Sequence, residues 1–125
     1  LIKGATEHLK AEAVSFDILE VPGAFEIPAA VHFGMHDKKF DGFVALGCVI
    51  RGETSHYDYV CGESARGLMD LSYKAGAAIG YGILTVEDEE QAWVRARVSE
   101  GDKGKCAATA CLRMIAIKRQ FDAAS

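Results

Sequence analysis

The chain of 125 residues predicts a three-layer α/β sandwich, a parallel sheet with helices on both faces. Two observations carry this. Segments with apolar residues at helical spacing alternate with short apolar runs, and such alternation calls for right-handed crossovers between parallel strands. The clearest runs, GFVALGCVI at 42–50 and AAIGYGILT at 77–85, lack the polar alternation of a half-exposed sheet and read as strands buried on both faces.

Each element follows in order. Ile2, Ala5, Leu9 and Ala13 recur at helical spacing over residues 1–14. An α/β unit usually places a strand before such a helix, so the single domain over 1–125 is expected to lack, or not to show, its N-terminal strand. Residues 16–21 read as a short strand closed by the Pro22-Gly23 turn signal. Ile27, Ala30, Val31, Gly34 and Met35 mark a helix over about 24–36, ended by Asp37, Lys38 and Lys39. After the run at 42–50, Ser55 with Asp58 three residues on has the looser capping-box spacing; Val60, Ser64, Leu68 and Leu71 continue one helical face towards Gly76. Beyond 77–85, the acids Glu87, Asp88, Glu89 and Glu90 favour a helix start through the helix dipole, running to about Val98. A loop at 99–104 precedes a final amphipathic helix marked by Ala107, Ala108, Cys111, Met114, Ile115 and Phe121.

Composition narrows the function classes. Half the residues are apolar and only 2 are proline, the balance of a folded globular chain. The net charge of -4 is spread along the sequence without a basic run, which argues against nucleic acid. No apolar stretch reaches the roughly 20 residues that span a bilayer, and the N-terminus lacks a signal-peptide layout, so neither a membrane nor export is expected. The expected compartment is the cytoplasm, or a plastid for the mature form of an imported plant protein. Cys48, Cys61, Cys106 and Cys111 form no CxxC pair and are expected to be buried, reduced thiols.

Ligands of open parallel sheets collect at the carboxyl ends of the strands. Three segments lie there: Val21 to Pro28, Cys48 to His56, and Thr85 to Glu90. The turn Arg51-Gly52-Glu53-Thr54-Ser55-His56 puts glycine, hydroxyls and free N-H groups at a helix start, which suits an anion such as phosphate. Glu53 opposes that reading, and Thr54 and Ser55 are equally accounted for as helix caps. His56, in the first turn, is expected to stay neutral near pH 7 beside the positive end of the dipole and to be able to accept a proton; a surface histidine without a role is the plain alternative. Phe25 and Glu26 present an aromatic face and a carboxylate where a planar heterocycle could dock, although Phe25 fits the core as well. Arg95 and Lys103 are candidate distant anion binders.

Other motifs fail. Gly80-Tyr81-Gly82 meets Thr85 where a dinucleotide fingerprint needs glycine, and it lies inside a strand. Gly62-Glu63-Ser64-Ala65 meets Arg66 where a nucleophile elbow needs glycine. His32 and His36 share a helix face but lack a third ligand, so no metal is expected. Cys61 lies roughly 140° around the helix from His56, too far for a thiolate pair.

Taken together, VPGAFEIP (21–28), GCVIRGETSHYDYVC (47–61), GILTVEDEEQAWVRA (82–96) and, more weakly, GDKG (101–104) resemble the lumazine synthase family, in family order and across essentially the whole chain. The resemblance implies a flavodoxin-like fold and an enzyme, a transferase of riboflavin biosynthesis. That enzyme condenses 5-amino-6-(ribitylamino)uracil with 3,4-dihydroxy-2-butanone 4-phosphate to 6,7-dimethyl-8-ribityllumazine and releases phosphate, without a cofactor. It further implies that Ala24, Phe25, Glu26, Cys48, Val49 and Ile50 contact the pyrimidine and its ribityl chain. Gly52, Glu53 and Thr54 would form the phosphate turn, and His56 would shuttle protons. Tyr81, Arg95 and Lys103 would come from a neighbouring subunit as stacking ring, phosphate-binding arginine and supporting lysine. Members form pentamers, some of which build icosahedral shells, with riboflavin synthase as a further partner in some. Two departures stand out: the family's first strand and the aromatic residue after it would precede Leu1, and Tyr81 stands where many members have phenylalanine. The competing expectations are a non-catalytic lumazine- or flavin-binding module and a shell protein of the same fold.

Overall fold

The computed structural model describes residues 1–124, with helix α1 at Ile2–Ala11, a 3-10 turn at Ala24–Glu26, α2 at Ile27–Gly34, strand β1 at Phe43–Ile50, α3 at His56–Tyr73, β2 at Ile79–Val86, α4 at Glu89–Ala96 and α5 at Lys103–Ala124. β1 and β2 pair in parallel, from Phe43 opposite Ile79 to Ile50 opposite Val86. The α/β class and the parallel sheet are as the sequence predicts.

Alternation along the strands sends side chains to two faces. On one face Ala45 and Ile83 pack with Ile27, Val31 and Leu68, joining the sheet to α2 and α3. On the other, Ala5, Leu9 and Ala108 pack with Val44 and Leu46, while Leu84 and Val86 meet Ala92 of α4. Glycine decides how closely α5 approaches. A Cβ at Gly80 would collide with the Ala107 carbonyl, and one at Gly82 would lie 2.8 Å from the Ala107 Cβ, so the GYG run serves helix-on-sheet packing.

Several expectations change. Residues 16–21 are not a strand: Phe16 and Val21 pack against the two cores, but the segment has no ladder partner, and without one its apolar pattern gives only an extended chain. For the same reason β1 is not buried on both faces along its length. Ala45 is buried, yet Cys48 and Ile50 at its end are exposed. The helix expected over 24–36 divides into the 3-10 turn and α2, with Pro28 in the first turn of α2. The capping box at Ser55 does not form. Ser55 is the N-cap of α3 without a side-chain cap bond, and the Asp58 carboxylate, which would complete the box, turns to Arg51 instead. α3 ends at Tyr73, and Gly76 turns the chain with φ +78. The last helix starts at Lys103, inside the expected loop. All four cysteines are free, but only Cys111 is buried; Cys48 and Cys106 are exposed.

Among the described residues no helix is long and apolar enough to cross a membrane.

Candidate active site

Because β1 and β2 are parallel, both deliver their carboxyl ends to the same side of the molecule. The Pro22-Gly23 turn leads into the 3-10 turn, closed by the Glu26 N-H donating to the Gly23 carbonyl at 3.1 Å. The turn lies on β1 at Gly47, where a Cβ would be at ordinary contact distance from Ala24 Cβ (3.6 Å) and Ile27 Cδ1 (3.4 Å). Ala24 is therefore half-buried against the core, whereas Phe25 is 55% exposed and Glu26 is exposed beside it. Phe25 is thus not a core residue. The turn that carries Phe25 and Glu26 touches β1 through Ala24 at Gly47, next to Cys48 and Ile50, which are exposed, and Val49, which is half-buried.

From Arg51 to His56 every residue is exposed, and a Cβ at Gly52 would meet nothing within 4 Å. Thr54 Oγ1 accepts from the His56 N-H at 3.3 Å, so this hydroxyl does cap the helix start. His56 is the first residue of α3, its imidazole open to solvent.

Arg51 anchors this turn to β2. Its N-H donates to the Val86 carbonyl at 2.9 Å, its Nε donates to Glu87 Oε2 at 2.6 Å, and its Nη1 lies 3.6 Å from Asp58 Oδ1. The guanidinium carbon stands 4.4 Å from the centre of the Tyr57 ring. Hydrogen bonding to Glu87 raises the Arg51 pKa above its ordinary value, so the side chain is a permanent cation. Nothing in the linear sequence pairs Arg51 with Glu87, 36 residues on; β1–β2 register does.

A second group lies elsewhere. A cleft of about 340 Å³ beside β2 is lined by Tyr81, Gly82, Ile83, Leu84, Thr85, Arg95, Lys103 and Cys106. The chain brings its two cations together by doubling back after α4. The Gly101 N-H donates to the Val94 carbonyl at 2.9 Å, and a Cβ at Gly101 would lie 2.9 Å from Arg95 Cα. Asp102, with φ +46, then turns the chain into Lys103. Tyr81 is half-exposed, and its hydroxyl meets Ser64 of α3, itself fully buried. Burial pushes the Tyr81 phenol up, and the Ser64 contact opposes that shift. Ser64, Thr85 and Cys106 carry no functional motif in sequence, and only the cleft and the α3–β2 contact single them out.

The predicted residues therefore fall into two sets. Ala24 to Glu26, Cys48 to Ile50 and Gly52 to His56 gather around the end of β1, and Tyr81, Arg95 and Lys103 around the cleft beside β2. None of the first set lines the cleft. The His32 and His36 rings sit edge-on with centroids 5.0 Å apart, and among the described residues no group of three or more metal-ligating side chains could hold an ion.

Comparison with known proteins agrees with this arrangement of motifs. The sequence profile of the 6,7-dimethyl-8-ribityllumazine synthase family matches residues 1–119. A 6,7-dimethyl-8-ribityllumazine synthase of Bartonella bacilliformis is 55% identical over 123 residues, covering 97% of this chain and 81% of the relative. Those of Rhizobium meliloti, at 52% over 128 residues, and Mesorhizobium japonicum, at 49% over 130, cover 98% and 100% of this chain and 84% and 79% of their own lengths. A match of this extent means that the chain belongs to the 6,7-dimethyl-8-ribityllumazine synthase family.

Proposed function

We propose that the protein condenses 5-amino-6-(ribitylamino)uracil with 3,4-dihydroxy-2-butanone 4-phosphate, giving 6,7-dimethyl-8-ribityllumazine and inorganic phosphate in riboflavin biosynthesis. Family membership and relatives bearing this enzyme's name support the reaction. The observation that carries the assignment of residues is the division of the motifs into two exposed sets, one with an aromatic face, a carboxylate and a histidine, the other with a ring and two cations. A pyrimidine would dock on Phe25 and Glu26 against Cys48, Val49 and Ile50. The phosphate would rest on Gly52, Glu53 and Thr54, and His56 would move protons between the two substrates.

The chemistry divides into imine formation between the pyrimidine amine and the ketone with loss of water, elimination of phosphate, and ring closure with loss of a second water. Such partners react readily once aligned, so positioning and exclusion of solvent supply much of the acceleration. His56 would assist the proton transfers. No cofactor is required, and phosphate is the leaving group.

The two sets complete one site when copies of the chain meet: Tyr81, Arg95 and Lys103 of one copy would close over the pyrimidine and phosphate held by another. Surface area supports association. A compact monomer of 13.4 kDa exposes about 6,500 Å² by the usual scaling, whereas this chain exposes 8083 Å². Phe33, Tyr59, Tyr73, Trp93 and Phe121 stand among the exposed large side chains. A pentamer is the assembly we propose, with an icosahedral shell around riboflavin synthase as its larger form. Bacterial relatives support the cytoplasm and give no support to a plastid.

The test is absorbance of lumazine formed from the two substrates, with phosphate release followed in parallel. Coupled appearance of both products is expected. Binding of the pyrimidine with neither product would replace the enzyme by a binding module.

A further inference from the structure

We propose that Arg51 is a positioning residue, one that holds the phosphate turn in place through Glu87 and Asp58 rather than by touching the phosphate itself. This rests on the reading of residues 52–54 as the phosphate turn.

The need for such a device is visible in the turn. Its residues are all exposed, and the position of Gly52 is open space on the side where a Cβ would point. Packing therefore does not fix it. Backbone N-H groups select phosphate only when they converge on one point, and an unpacked loop spends much of its time in other conformations. What restrains the turn is at its two ends. Before it, Arg51 is tied to β2 by the backbone bond to Val86 and the side-chain bond to Glu87. After it, Asp58 of α3 approaches the same guanidinium at 3.6 Å, closing a bracket from residue 51 to residue 58 across the whole turn. Tyr57 lies under the guanidinium at 4.4 Å, and its hydroxyl meets Thr85 of β2 and Cys61 of α3. One cation thus links β1, β2 and α3 at the point where the turn leaves and rejoins the fold.

Its own bonding argues against a direct role for Arg51 on the substrate. Nε is committed to one carboxylate and Nη1 to another, so the guanidinium and its two acids together carry a net negative charge, a poor anion receptor. Among the described residues Arg95 and Lys103 have no carboxylate partner of this kind and remain the candidate phosphate cations.

The test compares the assembled wild-type protein with Arg51→Met, Arg51→Lys, Glu87→Gln and the exchanged pair Arg51→Glu with Glu87→Arg. Two readouts are taken, the KM for each substrate and the affinity for inorganic phosphate measured without turnover. Solvent-exposed pairs of this kind give effects of roughly threefold to fivefold. Arg51→Met and Glu87→Gln should each raise the KM for the sugar phosphate and weaken inorganic phosphate by that factor, with the pyrimidine KM within about twofold of wild type. The double variant should lose no more than Arg51→Met alone, because the Glu87 contact is one of those that Arg51→Met already removes. Arg51→Lys should recover part of the loss, and the exchanged pair only the share that belongs to Glu87, because it sets a carboxylate at position 51 beside Asp58. Unchanged phosphate affinity in both single variants would sink the proposal. So would tighter phosphate binding in Glu87→Gln, which would mean that Arg51 serves as a free cation or as a charge shield. Absence of lumazine from the wild type would instead remove the proposed reaction, while phosphate affinity would still decide the role of Arg51.

Discussion

His56 begins α3 with its imidazole in solvent and its backbone N-H donating to Thr54 Oγ1. On the proposed reading this group would assist proton transfer without building the site, so His56→Ala should lower kcat by on the order of 10-fold to 100-fold and leave the thermal midpoint within a few degrees. Total loss of activity in a folded protein would contradict that division of labour. Arg95 differs in kind. Its Nη1 donates to the Gln91 carbonyl at 3.0 Å, which turns the guanidinium along its own helix at the mouth of the cleft. Arg95→Ala should raise the KM of the sugar phosphate while changing that of the pyrimidine little; an unchanged value for the phosphate substrate would remove Arg95 from the site. The Tyr81 hydroxyl lies by Ser64, whose own hydroxyl donates to the Cys61 carbonyl, so Tyr81→Phe should cost no more than roughly 0.5 kcal/mol of stability in urea and keep the ring. Residue identity and spacing made these side chains legible as candidates. They could not reveal that Tyr81 lies by Ser64 or that Arg51 answers to Glu87, because those pairs exist only through strand register and helix docking.

Helix and strand boundaries follow from local chemistry wherever the partner is local. α4 is the clearest case. Asp88 is its N-cap, with Oδ1 accepting from the Gln91 N-H at 2.8 Å, while Gln91 Oε1 accepts from the Glu87 N-H at 2.8 Å. An acid followed three residues on by glutamine is the sequence mark of this reciprocal cap, which the acid-rich start of the helix concealed. Asp88→Ala should cost about 1 kcal/mol in a denaturant melt. Glycines in β2 behave oppositely to the glycine in the exposed turn. Gly80→Ala would push a methyl into the Ala107 carbonyl and should destabilise by about 3 kcal/mol or more, whereas Gly52→Ala meets no atom and should stay within about 0.5 kcal/mol. Equal costs at the two positions would show that α5 does not ride directly on the strand. Residues 16–21 make the complementary point: an apolar, β-favouring segment is a strand only when another strand supplies hydrogen bonds, and no local pattern reports that.

At the scale of the whole molecule, burial governs stability. Burial pushes the Cys111 thiol above its ordinary value of 9.0, and the Tyr81 phenol above 10.0, so the folded chain holds these protons more tightly than the unfolded one. The stability they contribute is complete below the ordinary values and is lost as pH rises through the raised ones. The urea midpoint should therefore fall on the alkaline side, beginning near pH 9, and Cys111→Ala should flatten the first part of that fall. The proposed site spans a larger unit still. If the two residue sets meet between copies, subunits carrying His56→Ala mixed with subunits carrying Arg95→Ala, after joint refolding, should be more active at low sugar-phosphate concentration than the average of the two variants refolded separately; failure to complement would place both sets in one chain's site. From the sequence alone came the α/β class, the order of its helices and paired strands, the absence of a dinucleotide fingerprint and the motifs that carry the family, since periodicity, capping and turn chemistry act over a few residues. Only the tertiary structure decided which apolar run has a partner, how closely α5 lies on the sheet, and that Tyr81, Arg95 and Lys103 share a cleft apart from His56. Those outcomes depend on contacts between residues tens of positions apart, whose energies depend on the fold and on no local pattern.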